Sequence, residues 1–151
     1  MVVRLPWMSG ASLANELPTI AVDLDVRQFP IVRLRYMRPI SDEEFEDMLQ
    51  SLVEIHAHMG RYVAVVSGAP GVQATTMRQR LRGVAWIREH RAFLRDGVLG
   101  WALVLSSPIT RAMFSSVLLA VTLPNYAICS NEEEAFAWAR ARVEETGLAR
   151  P

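Results

Sequence analysis

Residues 30–66 read PIVRLRYMRPISDEEFEDMLQSLVEIHAHMGRYVAVV and hold the pattern that decides the fold. Apolar and polar residues alternate at the start of this stretch, which is typical of a strand. Ser41 and Glu44 then have the spacing of a capping box, and apolar residues recur at helical spacing after them. Arg61 to Val66 is short and rich in β-branched residues, as expected of a strand buried on both faces. A helix followed by such a strand predicts a crossover.

The rest of the chain continues this alternation. The predicted strands cover residues 19–23, 30–37, 61–66, 97–104 and 126–129, and the predicted helices cover 42–58, 75–95, about 107–123 and 131–147. The order ββαβαβαβα predicts an α/β fold: one mixed, mostly parallel five-stranded sheet with four helices. Residues 1–18 are predicted to be an N-terminal arm, 19–147 a single domain, and 148–151 a C-terminal tail.

Turn and capping residues set the expected limits of these elements. Thr75 or Thr76 is expected to cap the second helix, and Ser107 followed by Pro108 forms a cap and first-turn pair for the third. Ser130 and Glu133 repeat the spacing of a capping box before the last helix.

Composition excludes several classes of function. The chain has 151 residues, with 16 acidic and 16 basic residues and no lysine, so no net charge attracts it to nucleic acid or to an anionic membrane. Cys129 is the only cysteine, which excludes an internal disulfide and a cysteine-built zinc site and favours the cytoplasm. Residues 1–18 lack the apolar stretch of a signal peptide. The apolar run 112–123, AMFSSVLLAVTL, is too short to span a bilayer and predicts a buried helix.

Three local patterns and the element order resemble a known family. The patterns are VAWIREHRAFLR at 84–95, WALVLSSPITRAMF at 101–114 and AICSNEEEAFAWARARV at 127–143. Over residues 19–147 the chain resembles the STAS superfamily, and more closely its SpoIIAA-like branch. The resemblance implies a STAS-like domain with a regulatory role in signalling through protein binding, as in bacterial anti-sigma antagonists.

The resemblance also draws attention to the start of the second helix. Anti-sigma antagonists of this family are switched by phosphorylation of a serine in an Asp-Ser-Ser-Gly stretch, and here the matching residues are Gln73, Ala74, Thr75 and Thr76. Thr75 and Thr76 therefore form a candidate phosphorylation or anion site, because a phosphate would meet free helix amides there. Ordinary capping explains a threonine at this position equally well.

Charge and aromatic residues indicate a surface that binds a protein. The stretch 42–54 has six acidic residues and no base, whereas 78–95 has six arginines and one glutamate. An aromatic stripe on the second helix, bordered by arginine, has the composition of an interface core, although packing against a neighbouring helix produces the same pattern. The predicted partner-binding residues are Arg78, Arg82, Trp86, His90, Phe93, Met113, Phe114 and Val117.

The sequence contains little that indicates catalysis. His56 and His58 are two apart on a helix, about 200° around its axis, so they cannot share a metal as an i, i+4 pair would. No nucleophile elbow, dinucleotide fingerprint or metal-spaced carboxylate cluster occurs. We therefore expect a non-enzymatic regulatory or scaffolding module, with no cofactor, that binds a protein partner or forms a homodimer. The alternative is a binder of a small apolar ligand held between the third helix and the sheet.

Overall fold

The computed structural model describes residues 20–69, 75–108, 111 and 125–148. Within these residues the strands are β1 Val22–Asp25, β2 Ile31–Tyr36, β3 Tyr62–Gly68, β4 Val98–Val104 and β5 Tyr126–Cys129. The helices are α1 Asp42–Met59, α2 Met77–Glu89, α3 Arg91–Gly97 and Glu132–Glu145, here called α4.

The five strands form one sheet in the order β1-β2-β3-β4-β5. The first pair is antiparallel, and each later pair is parallel. The predicted fold class, a mixed and mostly parallel sheet with helices in the order ββαβαβαβα, is therefore confirmed. β1 begins three residues later than predicted, because Val22 pairs with Tyr36 and Leu24 pairs with Leu34 on one apolar face.

The first helix begins and ends where its sequence signals lie. The Ser41 hydroxyl accepts a hydrogen bond from the Glu44 amide at 3.1 Å, and a Glu44 carboxylate oxygen accepts one from the Ser41 amide at 2.8 Å. Arg38 also binds the Glu44 carboxylate, and this hydrogen bond lowers the pKa of Glu44. The chain leaves the helix at Gly60, whose φ of 102° is readily adopted only by glycine. The predicted capping box is confirmed.

The two faces of the sheet support separate hydrophobic cores. α1, α2 and α3 cover the face that includes Leu34 and Tyr62, whose hydroxyl donates to the Leu52 carbonyl at 2.8 Å. α4 covers the other face around Val63 and Val65. Both faces of β3 are thus buried, which explains why its sequence is apolar throughout.

α4 lies close to the sheet because a strand residue opposite it has no side chain. A Cβ atom added to Gly100 would lie 2.6 Å from the outer ring of Trp138 and 3.1 Å from the Asn125 carbonyl oxygen. Asn131 caps this helix by accepting from the Glu134 amide, and Glu134 accepts from the Ser130 amide. The predicted Ser130 and Glu133 box is therefore wrong by one residue, because the Asn131 side chain supplies the acceptor.

The long second helix predicted over 75–95 is interrupted at His90. His90 has φ −111° and ψ 30°, and it separates α2 from α3. Its ring Nδ1 lies 2.9 Å from the Trp86 carbonyl oxygen, which also accepts the His90 backbone amide at 2.9 Å. A side chain that binds its own helix backbone in this way favours a bend.

The predicted third helix lies mostly outside the described residues. At its predicted start, the Arg111 amide donates to the Ser107 carbonyl at 3.0 Å. The apolar run 112–123 lies outside the described part of the chain, as do the predicted arm and most of the predicted tail. None of the described helices combines the length and the hydropathy needed to cross a membrane.

Gly97 allows the α3 end to pack on α1, and its replacement tests this packing. A Cβ at Gly97 would lie 2.9 Å from the His56 ring and 3.0 Å from the Phe93 ring. We expect Gly97→Ala to lower the free energy of unfolding by about 1–3 kcal/mol, measured by urea denaturation, because the rings must shift. The same substitution in a His56→Ala background should cost less. Equal losses in the two backgrounds would show that the contact with His56 is not the cause.

Candidate interaction surface on the second helix

The start of α2 is defined by a second capping box. The Thr76 hydroxyl accepts from the Gln79 amide at 3.2 Å, and the Gln79 side-chain oxygen accepts from the Thr76 amide at 3.1 Å. Of the two predicted threonines, Thr76 is therefore the cap. Thr75 lies beside it, and its carbonyl and hydroxyl both accept from Arg80. Their predicted role as a phosphorylation or anion site stays a prediction.

Gln79 also fixes α2 to α1. Its side chain is 2 % exposed, and its amide nitrogen donates to the Ile40 carbonyl at 2.8 Å and to an Asp42 carboxylate oxygen at 3.1 Å. A buried amide with every such bond made holds a defined orientation, because losing a partner leaves a costly unpaired group. This side chain determines which face of α2 is turned outward.

Both predicted partner-binding arginines form ion pairs with acidic residues of α1. Arg82 binds the carboxylates of both Glu46 and Glu89, and these hydrogen bonds raise the pKa of its guanidinium. Arg78 lies 3.6 Å from Asp42 and is largely exposed. Surface ion pairs of this kind contribute little stability, but they orient the side chains. Arg78 therefore remains accessible, whereas Arg82 is partly engaged by α1.

Two large apolar side chains are exposed on the outer face of α2. Met77 is 62 % exposed and Leu81 is 64 % exposed. They are four residues apart, so they lie one turn from each other on the same face. Arg88 is exposed on this face as well, seven residues after Leu81. We call Met77, Leu81 and Arg88 the outer stripe of α2.

A shallow cleft lies between the first halves of α1 and α2. Its volume is about 290 Å³, and it is lined by Asp42, Glu43, Phe45, Glu46, Arg78, Gln79 and Arg82. Phe45 is buried, and most of the other lining side chains carry charge. The cleft is therefore bordered by charged groups, while its inner surface is formed mainly by carbon atoms of these side chains and of Phe45.

The predicted aromatic stripe is turned toward the core. Trp86 is 5 % exposed, its ring centre lies 6.0 Å from that of Phe93 in an edge-to-face contact, and it stacks on His90 at 4.7 Å. The ring of Phe93 also packs against that of His56, with 5.6 Å between the ring centres. Packing within the protein accounts for these contacts, so the partner-binding role of Trp86, His90 and Phe93 stays a prediction. The remaining predicted residues, Met113, Phe114 and Val117, lie outside the described residues.

Sequence reasoning missed a charged cluster on the face of the sheet that α4 covers. Arg33 binds Asp23 at 2.8 Å and lies 3.6 Å from Asp25, while Arg35 lies 3.8 Å from Glu132. The alternation of the strand residues was visible in the sequence, but the antiparallel register that places Asp23 and Asp25 opposite Arg35 and Arg33 was not. The cluster carries both charge signs.

The described residues do not form a metal centre. Within residues 20–69, 75–108, 111 and 125–148, no group of three or more histidine, cysteine, aspartate or glutamate side chains is placed to hold a metal ion. Cys129 is buried at the end of β5, and burial raises the pKa of its thiol, which favours the protonated and unreactive form.

Comparison of the chain with models of protein families, with curated proteins and with solved structures finds no match. The STAS-like interpretation therefore depends on the element order and the local patterns alone.

The charged cluster predicts how stability depends on pH. Hydrogen bonds from Arg27 lower the pKa of Asp25 to about 2, although burial opposes the shift. A carboxyl whose pKa is lower in the folded state stabilises the protein above its unfolded pKa of 3.8, and this contribution is lost as the pH falls from about 4 to about 2.

We therefore expect Asp25→Asn to reduce the loss of stability between pH 5 and pH 2, measured as the pH dependence of the urea midpoint. Glu133→Gln is the control, since the exposed Glu133 makes no ion pair or side-chain hydrogen bond with the residues that the structure describes. An unchanged pH profile for Asp25→Asn would contradict the assignment.

Proposed function

We propose that the protein is a non-enzymatic regulatory or scaffolding module that binds a protein partner through the outer stripe of α2. The observation that carries this proposal is the exposure of Met77 and Leu81, each above 60 %, on a helix whose orientation is fixed by the buried Gln79. Fully burying a side chain of this size contributes roughly 1.5–3 kcal/mol. Two such side chains on one turn therefore provide a compact anchor for a partner.

The charges around the stripe suggest the chemistry of the partner. Arg78 and Arg88 are exposed at its two ends, and a guanidinium binds carboxylates through paired hydrogen bonds. A partner with an apolar centre and acidic residues beside it would complement this surface. Charge complementarity of this kind mainly determines specificity and the rate of association.

The STAS resemblance supports a regulatory rather than a catalytic role. In this interpretation α2 is the helix that follows the family's switch region, where this chain has Thr75 and Thr76 instead of the Asp-Ser-Ser-Gly stretch. Thr76 is already used as the helix cap. The proposed module therefore binds its partner without the serine switch of anti-sigma antagonists, and the single buried thiol of Cys129 suits a cytoplasmic location.

The contacts of the described residues favour this function over the binding of an apolar ligand. The cleft between α1 and α2 is open and is lined mostly by charged side chains. Pockets for apolar ligands are instead concave and lined mainly by apolar residues. The third helix, where the alternative places its ligand, lies outside the described residues.

Substitution of one exposed residue tests the proposal. Immobilised wild-type protein is expected to retain a partner from a lysate of the cells that express it, and Leu81→Asp is expected to lose that partner because a carboxylate cannot occupy an apolar anchor site. The retained protein is then purified, and its direct binding to both forms is measured by calorimetry. We expect the affinity to fall by at least about tenfold.

Ala137→Asp is the matched control, since Ala137 is exposed on α4 at the opposite face of the sheet. Both variants should keep the circular dichroism spectrum and melting temperature of the wild type, because substitutions of exposed residues change stability by about 0.5 kcal/mol or less. Equal binding by the Leu81→Asp variant would contradict the proposal.

A further inference from the structure

The layer formed by α1, α2 and α3 presents exposed charges of both signs. On α1, Glu43 and Asp47 are exposed four residues apart on one face, and we call them the acidic stripe. At the junction of α2 and α3, Arg88 and Arg91 are exposed, and we call them the basic pair. The sequence as a whole is neutral, with 16 charges of each sign, so this separation is local.

These exposed charges differ from those that join the two helices. Asp42 and Glu46 face α2 and meet Arg78 and Arg82. Glu43, Asp47, Arg88 and Arg91, by contrast, make no ion pair or side-chain hydrogen bond with any residue that the structure describes. They are the charges of this layer that remain for an external partner.

The acidic stripe and the basic pair are too far apart to neutralise each other within one chain. α1 and α2 each follow a strand of the parallel part of the sheet, so both begin at the same sheet edge. Glu43 and Asp47 lie in the first two turns of α1, whereas Arg88 is at the last turn of α2. At 1.5 Å per residue, the separation from Arg88 along the helix axes is ~15 Å for Glu43 and ~9 Å for Asp47. Screening at physiological salt is largely complete beyond about 8 Å.

We propose that the partner of this layer is a second copy of the same chain, related by a twofold axis. This inference rests on the proposed function, because it identifies the partner that the outer stripe of α2 binds. A twofold rotation that brings the acidic stripe of one copy to the basic pair of the other makes the reciprocal contact at the same time. Met77 and Leu81 lie on the same layer and supply the apolar centre of the contact.

A second copy fits the charges better than an unrelated protein that carries one charge sign. An acidic partner would meet the basic pair but would be repelled by the acidic stripe on the neighbouring helix. A basic partner would be attracted by the acidic stripe but repelled by the basic pair. A twofold-related copy satisfies both sets with the same residues, which is the self-complementarity that an isologous interface requires.

The test uses two full-length variants with reversed charges. Glu43→Arg with Asp47→Arg makes the layer basic, and Arg88→Glu with Arg91→Glu makes it acidic. Sedimentation equilibrium of the wild type over a range of protein concentrations should show a dimer that weakens with added salt. Each variant alone should have a dissociation constant at least about tenfold higher, and an equimolar mixture of the two should form a heterodimer.

The control carries the same kinds of change on the opposite face of the sheet. Glu133 and Arg140 are exposed on α4, and the combined Glu133→Arg and Arg140→Glu variant should dimerise like the wild type. If a reversed variant fails to fold, Asp47→Asn and Arg88→Gln replace it, and each should weaken the dimer without repulsion.

Three results would overturn the inference: a wild-type protein that is monomeric at every soluble concentration, reversed variants that dimerise as well as the wild type, or a mixture that stays monomeric. A separate result tests the proposed function. If the chain is monomeric and Leu81→Asp still abolishes binding of the purified lysate partner, a different protein occupies the stripe. If neither dimerisation nor lysate binding depends on Leu81, the proposed function is wrong as well.

Discussion

The outer surface of the protein depends on one buried amide. Gln79 binds the Thr76 backbone on its own helix and the Ile40 carbonyl and Asp42 carboxylate on α1. Such a group can be buried only when its donors and acceptor are all satisfied, so few rotations of α2 are compatible with it. In the rotation that results, Trp86 enters the core and Met77 and Leu81 face outward. The anchor of the proposed interface therefore follows from an internal hydrogen-bond network.

Much of the fold could be predicted from the sequence because its signals are local. The capping box of Ser41 and Glu44, the glycine at position 60 and the apolar β3 each depend on neighbouring residues only, and all three have the predicted roles. Two predictions were wrong where neighbouring residues gave competing local signals. Asn131 displaced Ser130 as the cap of α4, and the bend at His90 divided a helix whose apolar spacing had appeared continuous.

The candidate surface could be predicted less well from the sequence, because the spacing of apolar residues does not determine which of two apolar faces of a helix is buried. The second helix predicted over 75–95 has two apolar stripes, one containing Met77 and Leu81 and the other containing Trp86 and Phe93. The sequence favoured the aromatic stripe as the interface, since aromatic residues and arginine are typical of interface cores. Its burial depends on contacts with α1, which are distant in the sequence. The charged cluster of Asp23 and Arg33 was missed for a similar reason, because strand register is a property of the paired strands.

The contact between α4 and the sheet has a consequence for the evolution of the chain. The Trp138 ring occupies the space that a side chain at position 100 would need. A homologue with alanine or a larger residue there can keep the same spacing between helix and sheet only if position 138 holds a smaller side chain. Glycine at 100 and tryptophan at 138 should therefore be gained and lost together.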